Sequence, residues 1–378
     1  MSEIRRASIM CACASVAALC AAMVLATASS AVTVTTVASG LDNPRALAFN
    51  PEGDLYVAEA GHGSEPAGSF CPLPGHGGPP ECIGLTSGVS KIEHGGTPQR
   101  VLTGKISIAG PDGSAATGID GVSLHEWGPL FAVATGASDL IPSSATGPPG
   151  VLAEVKEQIG RLFEVDRWGH SRIVADVGHF DFNWSKEHKE LVPEQFPDAN
   201  PYAVLATPEG VWVIDAASNT LDLVRDGKVR VVEFFPSPPV SDAVPTCVSR
   251  GPDGALYVGE LTGGGNKPGS SVVWRIEAGH EPEVWATGLT AVTGCGWDTD
   301  GEFYAVEFST LGFESFTPET GALVRVLPHS ASPVTVLSKL SFPGGFASRG
   351  DAVYLSNWSI APASNGKGPT GQVLRITP

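Results

Sequence analysis

The chain has 378 residues, enough to bury a large core in one or two domains. Its 46 glycines and 31 prolines, with only 17% charged residues, favour many short strands joined by tight turns over long surface helices. Lys and Arg total 23 against 40 Asp and Glu, and the resulting net charge of -17 repels phosphate backbones and argues against nucleic acid as a partner.

The first 31 residues are predicted to be a secretory signal peptide. A short region with two arginines precedes an apolar run over residues 9–26, and small residues then offer cleavage after Ala28 or Ala31. The alternative is an N-terminal membrane anchor, although the apolar run is short and rich in Ala and Cys. We therefore expect residues 32–378 to be a single exported domain without a membrane span, in the periplasm or outside the cell.

A loop rich in Pro and Gly follows early in the exported part, between Cys71 and Cys82. Such a loop has too few apolar residues to fold by burial, so a disulfide between the two cysteines is predicted, in keeping with an oxidising compartment. The alternative is a metal site made from this pair with His62 and His76, although the spacing matches no common zinc pattern.

Six segments share one pattern: a short apolar strand, a tight turn centred on Gly, and a second strand that ends in a polar residue. They are residues 44–59, 120–135, 201–215, 245–260, 292–307 and 343–357. Two further strand-like runs around another turn follow nearly every copy. Four antiparallel strands per repeat, apolar on both faces, are typical of a propeller blade. The sequence therefore predicts an all-β, six-bladed β-propeller.

The last repeat supplies only three strands. Residues 31–39, which precede the first repeat, are predicted to add the fourth strand and close the ring, because this pairing removes a bare sheet edge. Five or seven blades are alternatives, but six copies and one complementary leftover strand favour six.

The long connections are expected to lie on one face of the ring, here called the loop-rich face. Turns inside the hairpins are short, whereas the segments between the second and third strands, and between blades, are long. Short helices are predicted in two of these, over 151–159 and 184–196. Loops that grow on one face of a rigid scaffold usually carry its function, so this face is the predicted binding surface.

Polar side chains are expected to ring the same face. Candidates for contacting a ligand are the residues that end the second strands: Glu59, Asp215, Glu260, Glu307 and Asn357. Candidates for binding a metal are residues at the starts of the inner strands: Asn43, Asp120 and Asn200. Carboxylate and amide oxygens suit Ca²⁺, which takes six to eight oxygen ligands. The alternative is that these residues cap strand ends and bond to loop amides.

Cys247 and Cys295 fall at matching positions of two consecutive inner strands. They are expected to be buried thiols, with a disulfide between blades as the alternative if their Cα separation permits one.

Four segments resemble the ScyD/ScyE family, a group of predicted exported propellers named from bacterial gene clusters for the pigment scytonemin. They are PRALAFNPEGDLYVAEAG, the Cys71–Cys82 loop, ANPYAVLATPEGVWVIDAASN and AVPTCVSRGPDGALYVGELTGG. The resemblance covers essentially all of the chain after residue 31, and it implies the fold and export rather than a reaction.

More distantly, the repeat resembles NHL and SMP-30/gluconolactonase propellers. The latter resemblance implies a central divalent metal held by Glu, Asn and Asp at inner-strand starts. Asn43, Asp120 and Asn200 stand at comparable positions, but the later inner strands begin with Thr246, Thr293 and Gly344. Two functions follow as hypotheses. The first is an exported scaffold of undefined biochemical role that binds a partner or small ligand on its loop-rich face, and the second is a Ca²⁺-dependent lactonase or hydrolase.

Overall fold

A computed structural model describes residues 32–74, 79–145, 147–148, 150–191, 197–235, 242–263, 267–360 and 370–377. The predicted signal peptide and His76 lie outside the described residues. Residues Val32–Pro378 form one unit. No described helix is long and apolar enough to cross a membrane.

The strands form six four-stranded antiparallel sheets, as predicted. Strand β1 is Thr33–Leu41. Blade 1 contains β2 (Pro44–Phe49), β3 (Leu55–Glu59), β4 (Cys82–Ile92) and β5 (Gln99–Ala109). Blade 2 contains β6 (Ile119–Leu124), β7 (Leu130–Ala134), β8 (Arg161–Val165) and β9 (Ser171–Asp176). Blade 3 contains β10 (Pro201–Thr207), β11 (Gly210–Asp215), β12 (Thr220–Arg225) and β13 (Lys228–Phe234).

The remaining three blades follow the same order. Blade 4 contains β14 (Pro245–Arg250), β15 (Leu256–Glu260), β16 (Ser271–Ile276) and β17 (Glu283–Leu289). Blade 5 contains β18 (Val292–Trp297), β19 (Phe303–Glu307), β20 (Gly321–Val326) and β21 (Val334–Leu340). Blade 6 contains β22 (Phe346–Arg349), β23 (Ala352–Asn357) and β24 (Gly371–Thr377).

Strand β1 completes blade 6 and confirms the predicted closure. It pairs with β24 in an antiparallel register that runs from Thr33 opposite Thr377 to Leu41 opposite Gly371. The strand extends two residues past the predicted end at residue 39. The first and last strands of the chain therefore share one sheet, and the outer edge of β24 is covered.

The core lies between the blades, which explains why the strands are apolar on both faces. Between blades 2 and 3, for example, Val133 and Leu162 pack in one cluster with Val204 and Val213, and all four side chains are buried. Because each blade buries both of its faces in this way, its strands lack a regular alternation of polar and apolar residues.

Two α-helices lie in described connections on the loop-rich face. Helix α1 spans Val151–Gln158, as predicted. Helix α2 spans Val177–Glu187, so the prediction of a helix over 184–196 was wrong at its start. The side chain of Asp176 caps α2 by accepting a hydrogen bond from His179 N at 3.2 Å. Asp176 is also the last residue of β9, so the sequence did not identify it as the start of a helix.

The Cys71–Cys82 disulfide is present as predicted. The expectation of free thiols at Cys247 and Cys295 was wrong, because the two form a disulfide with a Cα separation of 5.7 Å. The cysteines stand on β14 and β18, the neighbouring inner strands of blades 4 and 5. Their Cα separation is in the usual range for a disulfide, so the bond joins two blades directly.

Candidate functional site

Irregularities in five of the six inner strands each leave one residue outside the regular pairing, near the loop-rich end of the strand. In β6, Ile119 pairs with Ala134 and Gly121 pairs with Val133, which leaves Asp120 out of the ladder. A bulge of this kind turns the extra side chain away from the regular pleat. The same irregularity occurs in β2, β10, β14 and β18. We call the residues at these positions the channel layer: Arg45, Asp120, Tyr202, Thr246 and Thr293.

Three members of the channel layer form a charged group. Arg45 Nε lies 3.4 Å from Asp120 Oδ1, and the Asp120 side chain is fully buried. Burial raises the pKa of Asp120 to about 6, although the Arg45 guanidinium opposes the shift. Burial also raises the pKa of the Tyr202 phenol, again opposed by Arg45. The guanidinium therefore compensates only part of the cost of burying this carboxyl group.

The other two members connect neighbouring blades. Thr246 Oγ1 donates a hydrogen bond to Val292 O at 2.6 Å, and Thr293 Oγ1 donates one to Pro343 O at 3.0 Å. Both hydroxyls satisfy carbonyl groups where the next inner strand begins. These threonines therefore have a structural role, and the charge of the layer is concentrated in blades 1 to 3.

A connection on the loop-rich face contacts the charged group. Arg45 Nη2 donates a hydrogen bond to the Ala116 carbonyl in the connection between blades 1 and 2. Arg45 Nε and Asp120 Oδ1 have no further hydrogen-bond partner among the described atoms, and neither has Asn43 Oδ1. Because buried polar atoms nearly always have partners, this end of the channel retains unused hydrogen-bonding capacity.

A cavity of about 260 Å³ begins at the channel layer and follows the inner strands to the opposite end. Asp120 and Tyr202 line one end, whereas Phe49, Trp297 and Ser348 line the end beside the short hairpin turns, here called the short-turn face. The lining of the cavity is about equally polar and apolar and includes the Cys247–Cys295 disulfide. A concave cavity with charged and phenolic groups gathered at one end is typical of a small-molecule site.

The five predicted ligand-contacting residues lie at the loop-rich ends of their strands, and all are buried. Four of them accept hydrogen bonds from backbone N–H groups in the connections that lead to the inner strands. Glu59 accepts from Asp42 N, Asp215 from Asn200 N, Glu307 from Thr290 N and Asn357 from Ser341 N. Glu260 accepts from Trp274 Nε1. This geometry matches the capping interpretation, and contact with a ligand stays a prediction.

Burial changes the acidity of these caps. It raises the pKa of Glu260 to about 8, which the Trp274 indole partly opposes, and that of Glu307 to about 7, which the Thr290 amide partly opposes. Burial also raises the pKa of Glu59, while Arg100, with Nη2 3.1 Å from Glu59 Oε2, opposes the shift.

The three predicted metal ligands have separate partners. Asn43 Nδ2 donates to Gly61 O at 2.7 Å, and Asn200 Oδ1 accepts from Thr135 Oγ1 at 2.7 Å. Asp120 faces the guanidinium of Arg45. A set in which one carboxylate already has a cationic partner does not fit a Ca²⁺ ion. Among the residues that the structure describes, no group of three or more His, Cys, Asp and Glu is arranged to hold a metal.

The register of blade 2 also differs from the predicted repeat of residues 120–135. Ala60 N donates to Asn43 O in blade 1, and the equivalent bond in blade 2 runs from Thr135 N to Gly118 O. Gly118 therefore corresponds to Asn43, and Asp120 corresponds to Arg45. The alignment was wrong by one residue, because Asp120 was taken as the start of a strand that begins at Ile119.

Sequence reasoning missed Arg45 and Tyr202. A signal was available, because Pro44, Pro201 and Pro245 each begin an inner strand and each is followed by a polar or aromatic residue in an otherwise apolar segment. Proline at the first strand residue is a common arrangement, and the residue after it marks the bulge in this fold.

A second group lies where α2 meets blade 3, and of its three members the sequence analysis named only Asp215. Asp181, Asp215 and Asp222 are fully buried. Burial, together with the neighbouring Asp222 and Asp215, raises the pKa of Asp181 well above its usual range. Asp215 is satisfied by backbone N–H groups, including those of Ala217 and Ser218. Both carboxyl oxygens of Asp181 are buried without a hydrogen-bond partner among the described residues, so its neutral form is favoured.

No protein-family model matches the chain, and no curated protein matches it. A putative glucose dehydrogenase from Thermus thermophilus has a TM-score of 0.52 at 15% identity, covering 91% of this chain and 99% of that chain. A gluconolactonase from Xanthomonas campestris has a TM-score of 0.50 at 9% identity, covering 92% and 89%. A putative gluconolactonase has a TM-score of 0.50 at 13% identity, covering 92% of each chain.

The chain is a six-bladed β-propeller. Likeness at such low identity extends to the fold alone, because this scaffold hosts many unrelated activities.

Proposed function

We propose that this chain is an exported propeller of the ScyD/ScyE type that binds a small polar ligand in its central channel. The observation that carries the proposal is that Asp120 and Tyr202 line one end of the channel cavity, with the Arg45 guanidinium beside Asp120. These residues bring a guanidinium, a carboxyl and a phenol together at a single level of the inner strands. The two disulfides support the exported location.

The composition of the cavity indicates the ligand class. The guanidinium binds carboxylate or hydroxyl oxygens, while Asp120 accepts from a hydroxyl. The apolar side chains of the wall contact the C–H groups of a ligand. The cavity volume of about 260 Å³ suits a molecule of roughly monosaccharide size. A polyhydroxy acid or its lactone has the required polar groups, C–H groups and size. The loop-rich face, which positions Arg45 through Ala116, remains our candidate surface for a macromolecular partner.

Arg45 also favours ligand binding over the alternative of a Ca²⁺-dependent lactonase. A divalent ion at Asp120 would lie close to a guanidinium that the protein itself supplies, and the repulsion between the two cations would weaken its binding. We therefore expect binding without a metal requirement and without turnover.

The experiment is a thermal-shift assay on the purified chain lacking residues 1–31. Gluconate, galacturonate and glucono-1,5-lactone are added separately, each with CaCl2 or with EDTA. We expect Tm to rise with at least one of them, equally in both buffers. Arg45→Met should abolish the shift, whereas Arg375→Met, which removes a surface ion pair with Asp351, should retain it.

Two results would contradict the proposal. One is a shift of the same size in Arg45→Met and the wild type. The other is hydrolysis of the lactone that EDTA stops and CaCl2 restores, which would establish the metal-dependent alternative.

A further inference from the structure

A second cavity lies between blades 1 and 2 at the short-turn face. Its volume is about 370 Å³, and residues of the β2–β3, β6–β7 and β8–β9 turns line it. We call it the interblade cleft. It shares the side chain of Leu124 with the channel cavity, and the other lining residues differ. The interblade cleft is therefore a separate place for a ligand.

An indole ring is presented to solvent at this cleft. Trp127 lines the cleft and is 72% exposed. It stands in the short turn between β6 and β7, after Glu126, whose φ of 48° places the backbone in the left-handed region. The ring contributes little to the core at this exposure, so fold stability does not explain it. An exposed aromatic ring beside polar groups offers a flat apolar surface to a ligand.

Arg167 lines the same cleft, and its guanidinium has no carboxylate partner among the described residues. Arg167 makes no ion pair and no side-chain hydrogen bond with another described residue, in a chain with a net charge of -17. Its guanidinium lies 4.2 Å from the ring centroid of Trp168, which is itself 68% exposed. The adjacent Asp166 instead accepts from the amides of Trp168 and His170. Stacking orders Arg167 and leaves its N–H donors free for a ligand.

Hydrogen-bond acceptors complete the lining. Glu52 and Glu126 are exposed, and neither forms an ion pair with a described residue. Asp54 lies deeper, where Lys91 Nζ is 2.9 Å from its Oδ2. Donors and acceptors thus surround one exposed ring. The free carboxylates would repel phosphate, so the cleft favours a ligand whose polar groups both donate and accept without negative charge.

We propose that the interblade cleft is a carbohydrate-binding site. A pyranose ring has an apolar C–H face, which stacks on the indole of Trp127. Its hydroxyl groups donate to Glu126 and accept from Arg167. The site is independent of the channel ligand, and it would hold the propeller on a glycan through the short-turn face.

The test is isothermal titration of the chain lacking residues 1–31 with cellohexaose, xylohexaose, mannohexaose and chitohexaose. We expect at least one oligosaccharide to bind. Trp127→Ala should weaken that binding at least tenfold, Trp127→Phe should retain part of it, and Arg167→Met should weaken it several-fold. Because Trp127 is 72% exposed, Tm should stay unchanged in each variant.

The matched control is Phe316→Ala, which removes an aromatic side chain of 57% exposure from the connection between β19 and β20. It should bind as the wild type does. The proposal is overturned if none of the four oligosaccharides binds, or if Trp127→Ala binds normally. Equal loss in Phe316→Ala would also overturn it, because binding would then not depend on this cleft.

Discussion

The disulfide between blades 4 and 5 should contribute more to stability than the disulfide in the surface loop. Cys247 and Cys295 are 48 residues apart in sequence, against 11 for Cys71 and Cys82. A cross-link restricts the unfolded chain more when it closes a longer loop, and the chain-entropy relation gives about 4 kcal/mol for the inner bond and about 3 kcal/mol for the outer one. The inner cysteines also pack in the apolar cluster between the two blades.

The assay is equilibrium unfolding in guanidinium chloride at one protein concentration, with the double variants C247A/C295A and C71A/C82A beside the wild type. Both midpoints should fall, and the inner variant should fall further, while the slopes should rise because the unfolded chain without the cross-link is less compact. An inner variant as stable as the wild type, or more stable than the outer variant, would refute the reasoning. In that case the inner bond would not limit the freedom of the unfolded chain.

Two further predictions concern the strand caps and the ring closure. Burial raises the pKa of Glu307 to about 7 from 4.5, so the protonated form is favoured in the folded state and stability falls as pH rises from about 4.5 through 7. Between pH 5 and pH 8, the free energy of unfolding in urea should therefore fall by about 2 kcal/mol less for Glu307→Gln than for the wild type. An equal fall in the two proteins would contradict this. Removal of residues 32–41 exposes the edge of β24, so Tm should fall by roughly 10 °C relative to a chain beginning at Val32, with self-association on a sizing column. A synthetic peptide of residues 32–41 should restore part of the loss, and a monomeric truncation with unchanged Tm would contradict the role of β1.

The fold was predictable because its signal is repeated. Each blade has the same turn between two apolar strands, and the last repeat has one strand too few, which indicates where β1 belongs. The predictions that were wrong concern single residues. A bulge shifts a register by one position without any change in composition, which is why Asp120 was aligned with the wrong residue. The state of Cys247 and Cys295 depends on their Cα separation, which the sequence does not contain.

In the proposed function, the bulged positions of the inner strands supply the groups that contact the ligand. A buried carboxylate at Asp120 is suited to a metal ion only if its surroundings lack another cation, and Arg45 supplies one. Burial raises the pKa of Asp120 to about 6 and outweighs the guanidinium, so this carboxyl group remains mainly an ionised acceptor at neutral pH. Under the proposed function, we expect such a pair to bind a polar organic molecule better than a bare divalent ion. We therefore expect the ligand of this propeller to depend on the side chains of its channel layer rather than on the blades.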